Sequence, residues 1–278
     1  MFSRAFAAAS LLFDRGARVW MYAAVGAGSL DQLRRDSAMD WRRYNDRTET
    51  IRAGLLPAEQ QFVGEWVPAG GRILLIGSGS GRELVHLARG GFSVTGVEPV
   101  SHSVDMCRAA LHVAQVHADV RTAFIEDVAL ADDSFDAAMF SLFVYSLIPM
   151  SARRIATVRR VARAVKPGGV LFVSFSTNGA GNPWLVRVGR AAGALARSDW
   201  RLESGDSVFR ISAQQFRYTH IFSRSQIYAE LDAAGLQRIE DSFDADYPFV
   251  VAQRAANADV SETGDFRREM AASPLQTF

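Results

Sequence analysis

The stretch ILLIGSGSGRE (73–83) decides how the rest of the chain is read. Four apolar residues run straight into Gly77, and Gly77, Gly79 and Gly81 then alternate with serines before the charged pair Arg82-Glu83. A short unbroken apolar run bounded by glycine fits a strand buried on both faces. Glycines have no Cβ, so the backbone can turn tightly and approach a ligand closely. RELVHLARG (82–90) has helical spacing and is closed by Gly90-Gly91. The loop therefore joins a strand to a helix, which is where nucleotide-like ligands are held.

The same alternation continues downstream. FSVTGVEP (92–99) reads as a second strand, ending at Glu98, 21 residues after Gly77. A carboxylate there accepts hydrogen bonds from both hydroxyls of a ribose, because an ionised carboxylate is an acceptor only. SHSVDMCRAALHVAQVH (101–117) is a helix with a serine cap at 101 or 103. DVRTAFIED (119–127), FDAAMFSLFVYSLIP (135–149) and VLFVSFS (170–176) are strands, and SARRIATVRRVARAVKPGG (151–169) is a helix capped by Ser151. A helix capped by Ser223 and two strands within 237–254 follow. The repeat predicts a parallel α/β sheet covered by helices, with its ligand at the carboxyl ends of the strands. Residues 1–70 carry only helical patterning and are expected to form an N-terminal helical cap or lid. Residues 71–254 are expected to form the main domain, with an insertion at 177–222 that holds a short helix and glycine turns. A flexible tail is expected over 255–278.

Composition narrows the function. A formal net charge of +1 argues against a nucleic-acid partner, which would require a basic excess to neutralise phosphates. Cys107 is the single cysteine, so neither a disulfide framework nor a cysteine metal cluster is available within one chain, and no metal site is expected. No run of eighteen or more apolar residues predicts a membrane span. The opening MFSRAFAAASLLF (1–13) reads as an amphipathic helix rather than a cleaved leader, and a cytoplasmic location is expected.

Two cofactor classes use a glycine loop followed by an acid. A dinucleotide site takes G-x-G-x-x-G, but the third glycine position here is Arg82 and the pattern is G-x-G-x-G. DDSFDAAMF (132–140) and RAVKPGGVLFVSF (163–175) follow at the fourth and fifth strands. Together with the loop and Glu98, these segments resemble the class I S-adenosylmethionine-dependent methyltransferases, closely over 72–176 and again over 220–237. The resemblance implies a Rossmann-like, doubly wound, mostly parallel seven-stranded sheet with helices on both faces. It implies S-adenosyl-L-methionine as cofactor, with Gly77, Ser78, Gly79 and Gly81 under its methionine part. Glu98 would lie on the ribose and Pro99 against the adenine. Glu126 and Asp127 would border the adenine, and Phe140 and Ser141 would offer backbone groups to the methionine end. The chain departs from the family at two positions. Leu75 stands where many members carry an acid that helps bind the cofactor's ammonium, and Phe124 stands where many carry an aspartate for the adenine amino group. Glu83 is expected to replace the charge absent at Leu75, as in a branch resembling the thiopurine and halide methyltransferases, with an exposed helix-start glutamate favoured by the helix dipole as the alternative.

The implied reaction is in-line transfer of a sulfonium methyl, for which a protein mainly supplies alignment and exclusion of water. His220 and Tyr145 are the candidates for a base or substrate contact, each with a packing or anchoring role as the alternative. Trp41 and Tyr44 are candidates for the mouth of the site. Aromatic and aliphatic residues of the cap and insertion suit a small apolar or lipid-like acceptor. Peripheral membrane contact through the first helix, using Arg4, Arg15 and Arg18, is a less favoured alternative. Two rival functions stay open: a non-catalytic S-adenosylmethionine-binding protein and an NAD(P)-dependent oxidoreductase.

Overall fold

A computed structural model describes residues 2–45, 48–179, 182–212 and 215–256, with side chains from residue 15 onward except at 41–48 and 50. The side chains of Arg4, Trp41 and Tyr44, and the tail from 257, therefore lie outside what is described. Four helices come first: α1 (Phe2–Ala27), α2 (Leu30–Asn45), α3 (Thr48–Ala53) and α4 (Pro57–Trp66). The alternating part comprises β1 (Arg72–Ile76), α5 (Arg82–Arg89), β2 (Ser93–Glu98), α6 (Ser101–Ala114), β3 (Asp119–Thr122), β4 (Phe135–Phe140), α7 (Ser151–Ala164) and β5 (Val165–Ser174). Then come α8 (Pro183–Ala196), β6 (Asp206–Arg210), β7 (Phe216–His220), α9 (Arg224–Ala233), β8 (Leu236–Ser242) and β9 (Phe249–Arg254).

Seven strands form one sheet in the order β3-β2-β1-β4-β5-β9-β8. The first five are parallel, while β9 is antiparallel to both β5 and β8. Strand alternation assigns every buried residue to one of two faces. Ile73, Leu75, Ala137, Met139 and Phe172 pack with Phe62 of α4, Leu84 of α5 and Val104 of α6. Leu74, Ile76, Ala138, Phe140 and Leu171 pack with Val158 of α7 and Leu231 of α9. Strands covered on both faces have no polar side to present, which is why their sequences are continuously apolar. The strand order reverses between β1 and β4, and the crevice at that switch point is where a ligand fits.

Two local expectations are revised. The caps of α6 and α7 are Val100 and Met150, one residue before the nearest serine, and neither supplies a side-chain cap. The half-buried Ser151 instead donates its N–H to Glu203 Oε2 at 2.7 Å, so a distant carboxylate does the capping. The insertion holds a 14-residue helix and the β6–β7 hairpin, which a reading of short helix and turns missed.

A third apolar cluster joins the cap to the insertion. Tyr22 and Val25 of α1, Leu33 of α2, Leu185 of α8, Leu202 and Tyr218 pack together. The backbones of α1 and α8 meet through glycines: a Cβ on Gly26 would lie 2.1 Å from Gly189 O, and one on Gly189 would lie 2.2 Å from Leu202 Cδ1. Gly189→Val is therefore expected to cost about 3 kcal/mol by overpacking this crossing. Urea denaturation checks it, and an unchanged midpoint would contradict the close approach.

Candidate active site

The crevice at the switch point holds a partly open cavity whose wall is mostly apolar. Gly77 leaves β1 with φ 75°. A Cβ there would lie 2.4 Å from Val144 Cγ2, so glycine is needed on both counts. The N–H of Gly77 donates to Val97 O at 2.8 Å, which ties the loop to β2. Gly79 N–H donates to Glu98 Oε2 at 3.1 Å, and Val100 N–H donates to Glu98 Oε1 at 3.0 Å. Two backbone donors thus hold the Glu98 carboxylate at the cavity wall. Burial raises its pKa to about 7, against the lowering effect of the two N–H bonds. Pro99, Phe124, Glu126 and Arg34 line the same cavity, and Ile76, Leu142, Val144, Leu147 and Ile148 make much of the remaining wall apolar.

Beyond the glycines lies a buried ionic cluster. Arg82 Nη1 donates to Glu59 Oε2 at 2.8 Å and to Gly54 O at 2.7 Å. Its Nη2 donates to Glu59 Oε1 at 2.8 Å and to Glu83 Oε1 at 2.5 Å. The Ser141 hydroxyl lies 2.5 Å from both Glu59 Oε1 and Glu83 Oε1. Two carboxylates therefore face one guanidinium within this cluster. Burial raises the Glu83 pKa, Arg82 opposes that, and Glu59 adds to it. Leu75 is fully buried in the core on the α4–α6 face. The two buried carboxylates next to the loop belong to Glu83 of α5 and Glu59 of α4. Glu59 was not foreseen, because it already has a local role: its Oε2 accepts the Leu56 N–H at 2.8 Å at the start of α4.

The other expected site residues are distributed as follows. Gly77, Glu98, Pro99 and Glu126 line the cavity. Gly79 positions Glu98, and Gly81, with φ 98°, caps α5. Ser78 is buried, and its hydroxyl has no partner among the described residues. Phe140 is a core residue, its ring edge-on to Tyr145 with centroids 5.6 Å apart. Asp127 is exposed, and its Oδ2 lies 3.6 Å from Arg34 Nη2.

Neither candidate base lines the cavity. The Tyr145 hydroxyl donates to Glu230 Oε2 at 2.8 Å, and its ring stacks on Phe222 with centroids 5.6 Å apart. Burial and then Glu230 raise its pKa, so the hydroxyl keeps its proton. His220 is buried in the insertion, its Nδ1 2.7 Å from Asp206 Oδ1, which also accepts the Tyr218 hydroxyl at 2.7 Å. It borders a separate surface cleft with Arg154 and Gln226. Each side chain is thus tied to a buried carboxylate, Tyr145 through its hydroxyl and His220 through Nδ1. Tyr145→Phe is expected to lower stability by about 1 kcal/mol and to leave cofactor affinity unchanged. Thermal unfolding and calorimetric titration check the two halves, and a large loss of affinity would return Tyr145 to the site. Among the described residues, no group of His, Cys, Asp and Glu side chains can hold a metal ion, and no helix is long and apolar enough to cross a membrane.

Comparison with known proteins gives the same picture. A family model described as a methyltransferase domain matches residues 74–173. An uncharacterized methyltransferase of Mycobacterium tuberculosis is 31% identical over 122 residues, covering 44% of this chain and 46% of that protein. A ubiquinone biosynthesis O-methyltransferase of Alkalilimnicola ehrlichii is 36% identical over 117 residues, covering 39% of this chain and 43% of that protein. The chain thus spans less than half the length of the curated relatives it matches. Among solved structures, the 1,6-didemethyltoxoflavin-N1-methyltransferase of Burkholderia thailandensis superimposes with a TM-score of 0.55. It is 16% identical, with 81% of this chain and 88% of that one covered, and was solved with its substrate and S-adenosylhomocysteine bound. The glycine loop and the pinned Glu98 lie within the segment, residues 74–173, that matches the methyltransferase-domain model, and over this part of its seven-stranded sheet the chain is similar to class I S-adenosylmethionine-dependent methyltransferases.

Proposed function

We propose that this protein transfers a methyl group from S-adenosylmethionine to a small, largely apolar acceptor. The observation that carries the reading is the Glu98 carboxylate, pinned by Gly79 and Val100 at the wall of an apolar cavity beside the glycine loop. The residues present fit the cofactor. Glu98 supplies acceptors for a sugar diol, Gly77 leaves the loop backbone bare, and the Glu59–Glu83–Arg82 cluster carries an acidic excess toward a cationic amino-acid end. When bound, the cofactor supplies an activated sulfonium methyl. The chain's own contribution is to align the acceptor along Leu142, Val144, Leu147 and Ile148 and to keep water out. Apart from Glu98, Glu126 and Arg34, no ionisable side chain among the described residues lines the cavity, so alignment rather than proton transfer is the main contribution.

The relatives named for ubiquinone biosynthesis and toxoflavin methylation support a small-molecule acceptor, and the apolar wall supports a ring or short chain. The test is incubation with methyl-labelled cofactor and a panel of phenols, quinols, nitrogen heterocycles and short-chain lipids. Label should enter an aromatic or aliphatic small molecule. If the cofactor binds tightly but label enters none of the panel, the acceptor class proposed here is wrong and a non-catalytic binding role gains.

A further inference from the structure

Trp20 of α1 and Trp184 of α8 lie on the surface, 77% and 58% exposed. The indole N–H groups of Trp66 and Trp200 donate to Glu240 Oε2 and Gly28 O, whereas those of Trp20 and Trp184 have no partner among the described residues. The two exposed rings belong to one end of a helix pair. A Cβ on Gly189 would lie 2.8 Å from Tyr22 O, and one on Gly193 would lie 2.8 Å from Gly26 O, so α1 and α8 run parallel and in step. In that register Trp20 is level with Arg187, and Trp184 is level with Ala17. Arg15 and Arg18 fall in the same slice, about 8 Å deep along the pair. Arg15, Arg18 and Arg187 are exposed, and none of them pairs with an acid among the described residues. Residues 15–27 and 183–196 contain no Asp or Glu. The nearest acids in sequence are Asp14, whose side chain lies outside what is described, and Asp199, whose Oδ1 accepts the Leu30 N–H at 3.2 Å at the other end of the pair.

We infer that this end of the α1–α8 pair docks on an anionic lipid surface. An exposed tryptophan leaves a large apolar ring in water, and at the headgroup level of a bilayer the ring is buried while its N–H is met. Guanidinium groups beside it meet lipid phosphates, and each adds attraction to an anionic leaflet. The match is one of local charge: three arginines without an ionic partner gather around two tryptophans, on a chain whose formal net charge is only +1. An apolar patch alone would suit another protein, whereas unpaired cations around tryptophan suit a layer of phosphates over hydrocarbon. The contact is peripheral, because no helix among the described residues is long and apolar enough to cross a membrane. It also bears on the site. α2 begins at Leu30, close after α1 ends at Ala27, and contributes Arg34, Ser37 and Ala38 to the cavity wall. A lipid surface seated on α1 is thus one helix along the chain from the cavity, and lipid is the phase that concentrates an apolar acceptor. The docking itself does not depend on the cofactor reading.

Co-sedimentation of the full chain with lipid vesicles tests it. Vesicles of phosphatidylglycerol and phosphatidylcholine in equal parts are expected to bind the protein about tenfold or more tightly than phosphatidylcholine alone. Salt at about 0.5 M should remove most of that difference, because it screens exposed charges. Arg18→Glu with Arg187→Glu, and separately Trp20→Ser with Trp184→Ser, should each weaken binding to the anionic vesicles by about tenfold. Arg89→Glu with Arg108→Glu makes the same change in net charge on exposed positions of α5 and α6, and should leave binding intact. Every substituted side chain is exposed, and thermal unfolding shows that each variant is folded. Wild-type protein that ignores anionic vesicles, or binds both kinds equally, overturns the inference. So does an equal loss in the α5–α6 variant, or binding retained in both α1–α8 variants. A dimer in solution that Trp20→Ser with Trp184→Ser splits would assign the face to a second copy and overturn the lipid reading. The measurement uses neither cofactor nor acceptor, so its failure leaves the methyl-transfer reading in place, and failure of that reading leaves the vesicle result standing.

Discussion

Replacing Arg82 with alanine is expected to lower the free energy of unfolding by about 3–5 kcal/mol, the cost of leaving a buried charge without its partner. Arg82 is 4% exposed and faces both Glu59 and Glu83. Its removal leaves two buried carboxylates against one serine hydroxyl and takes a donor from Gly54 O. The loss should depend on pH. Without Arg82, burial and the neighbouring Glu59 hold the Glu83 pKa above that of the unfolded chain, so the folded state binds more protons. Stability then falls as pH rises above the usual carboxylate range, and the deficit should be larger at pH 8 than at pH 5. Denaturant titration at the two pH values measures both effects. A loss below about 1 kcal/mol, typical of a surface pair, would mean that the cluster is not a buried unit.

Glu98→Ala is expected to weaken binding of S-adenosylhomocysteine by about 3 kcal/mol, roughly 100-fold, since two hydrogen bonds to a charged acceptor are lost. Because burial raises the Glu98 pKa to about 7 in the free protein, the wild-type affinity should also depend on pH. Two sugar hydroxyls need the ionised form. Affinity should therefore rise as pH increases toward 7 and level off above it, and the alanine variant should lack that rise. The same raised pKa has a stability consequence of opposite sense. The folded protein keeps a proton that the unfolded chain loses near 4.5, so this group's contribution to stability falls as pH rises from there to about 7. On the order of 3 kcal/mol is involved. A site that is costly to ionise in the free protein and useful when ionised is a common exchange of stability for binding.

Much of the fold was legible because its signals are local. An apolar run stopping at Gly77, a helix closed at Gly90 and a carboxylate at the end of the next strand are each readable within a dozen residues, and together they place the crevice. The positions of Gly77, Glu98, Pro99 and Glu126 on the cavity wall follow from that frame. Other parts were hidden because tertiary packing sets them. Glu59 and Arg34 sit on helices that carry no motif, and only the folded chain brings Glu59 to Arg82 and Arg34 to the crevice. Glu203 caps a helix from 52 residues away, a partner that spacing along the chain does not reveal. His220 reads as a base or an anchor from its neighbours in sequence, and its partner Asp206, on the opposite strand of an unforeseen hairpin, is not visible there. Leu75 and Phe124 read as losses because one residue was compared at a time. In three dimensions Glu59 and Glu83 bring two carboxylates to the buried end of the loop, and Arg34 stands over Phe124.

The measurement that bears most directly on the account is a crystal structure of the full chain with S-adenosylhomocysteine. The account expects both ribose hydroxyls within hydrogen-bonding distance of the Glu98 carboxylate and the amino-acid end against the backbone of Gly77 and Gly79. A ligand seated elsewhere, or a crevice that stays closed by Val144 packed on Gly77 at saturating ligand, would contradict it.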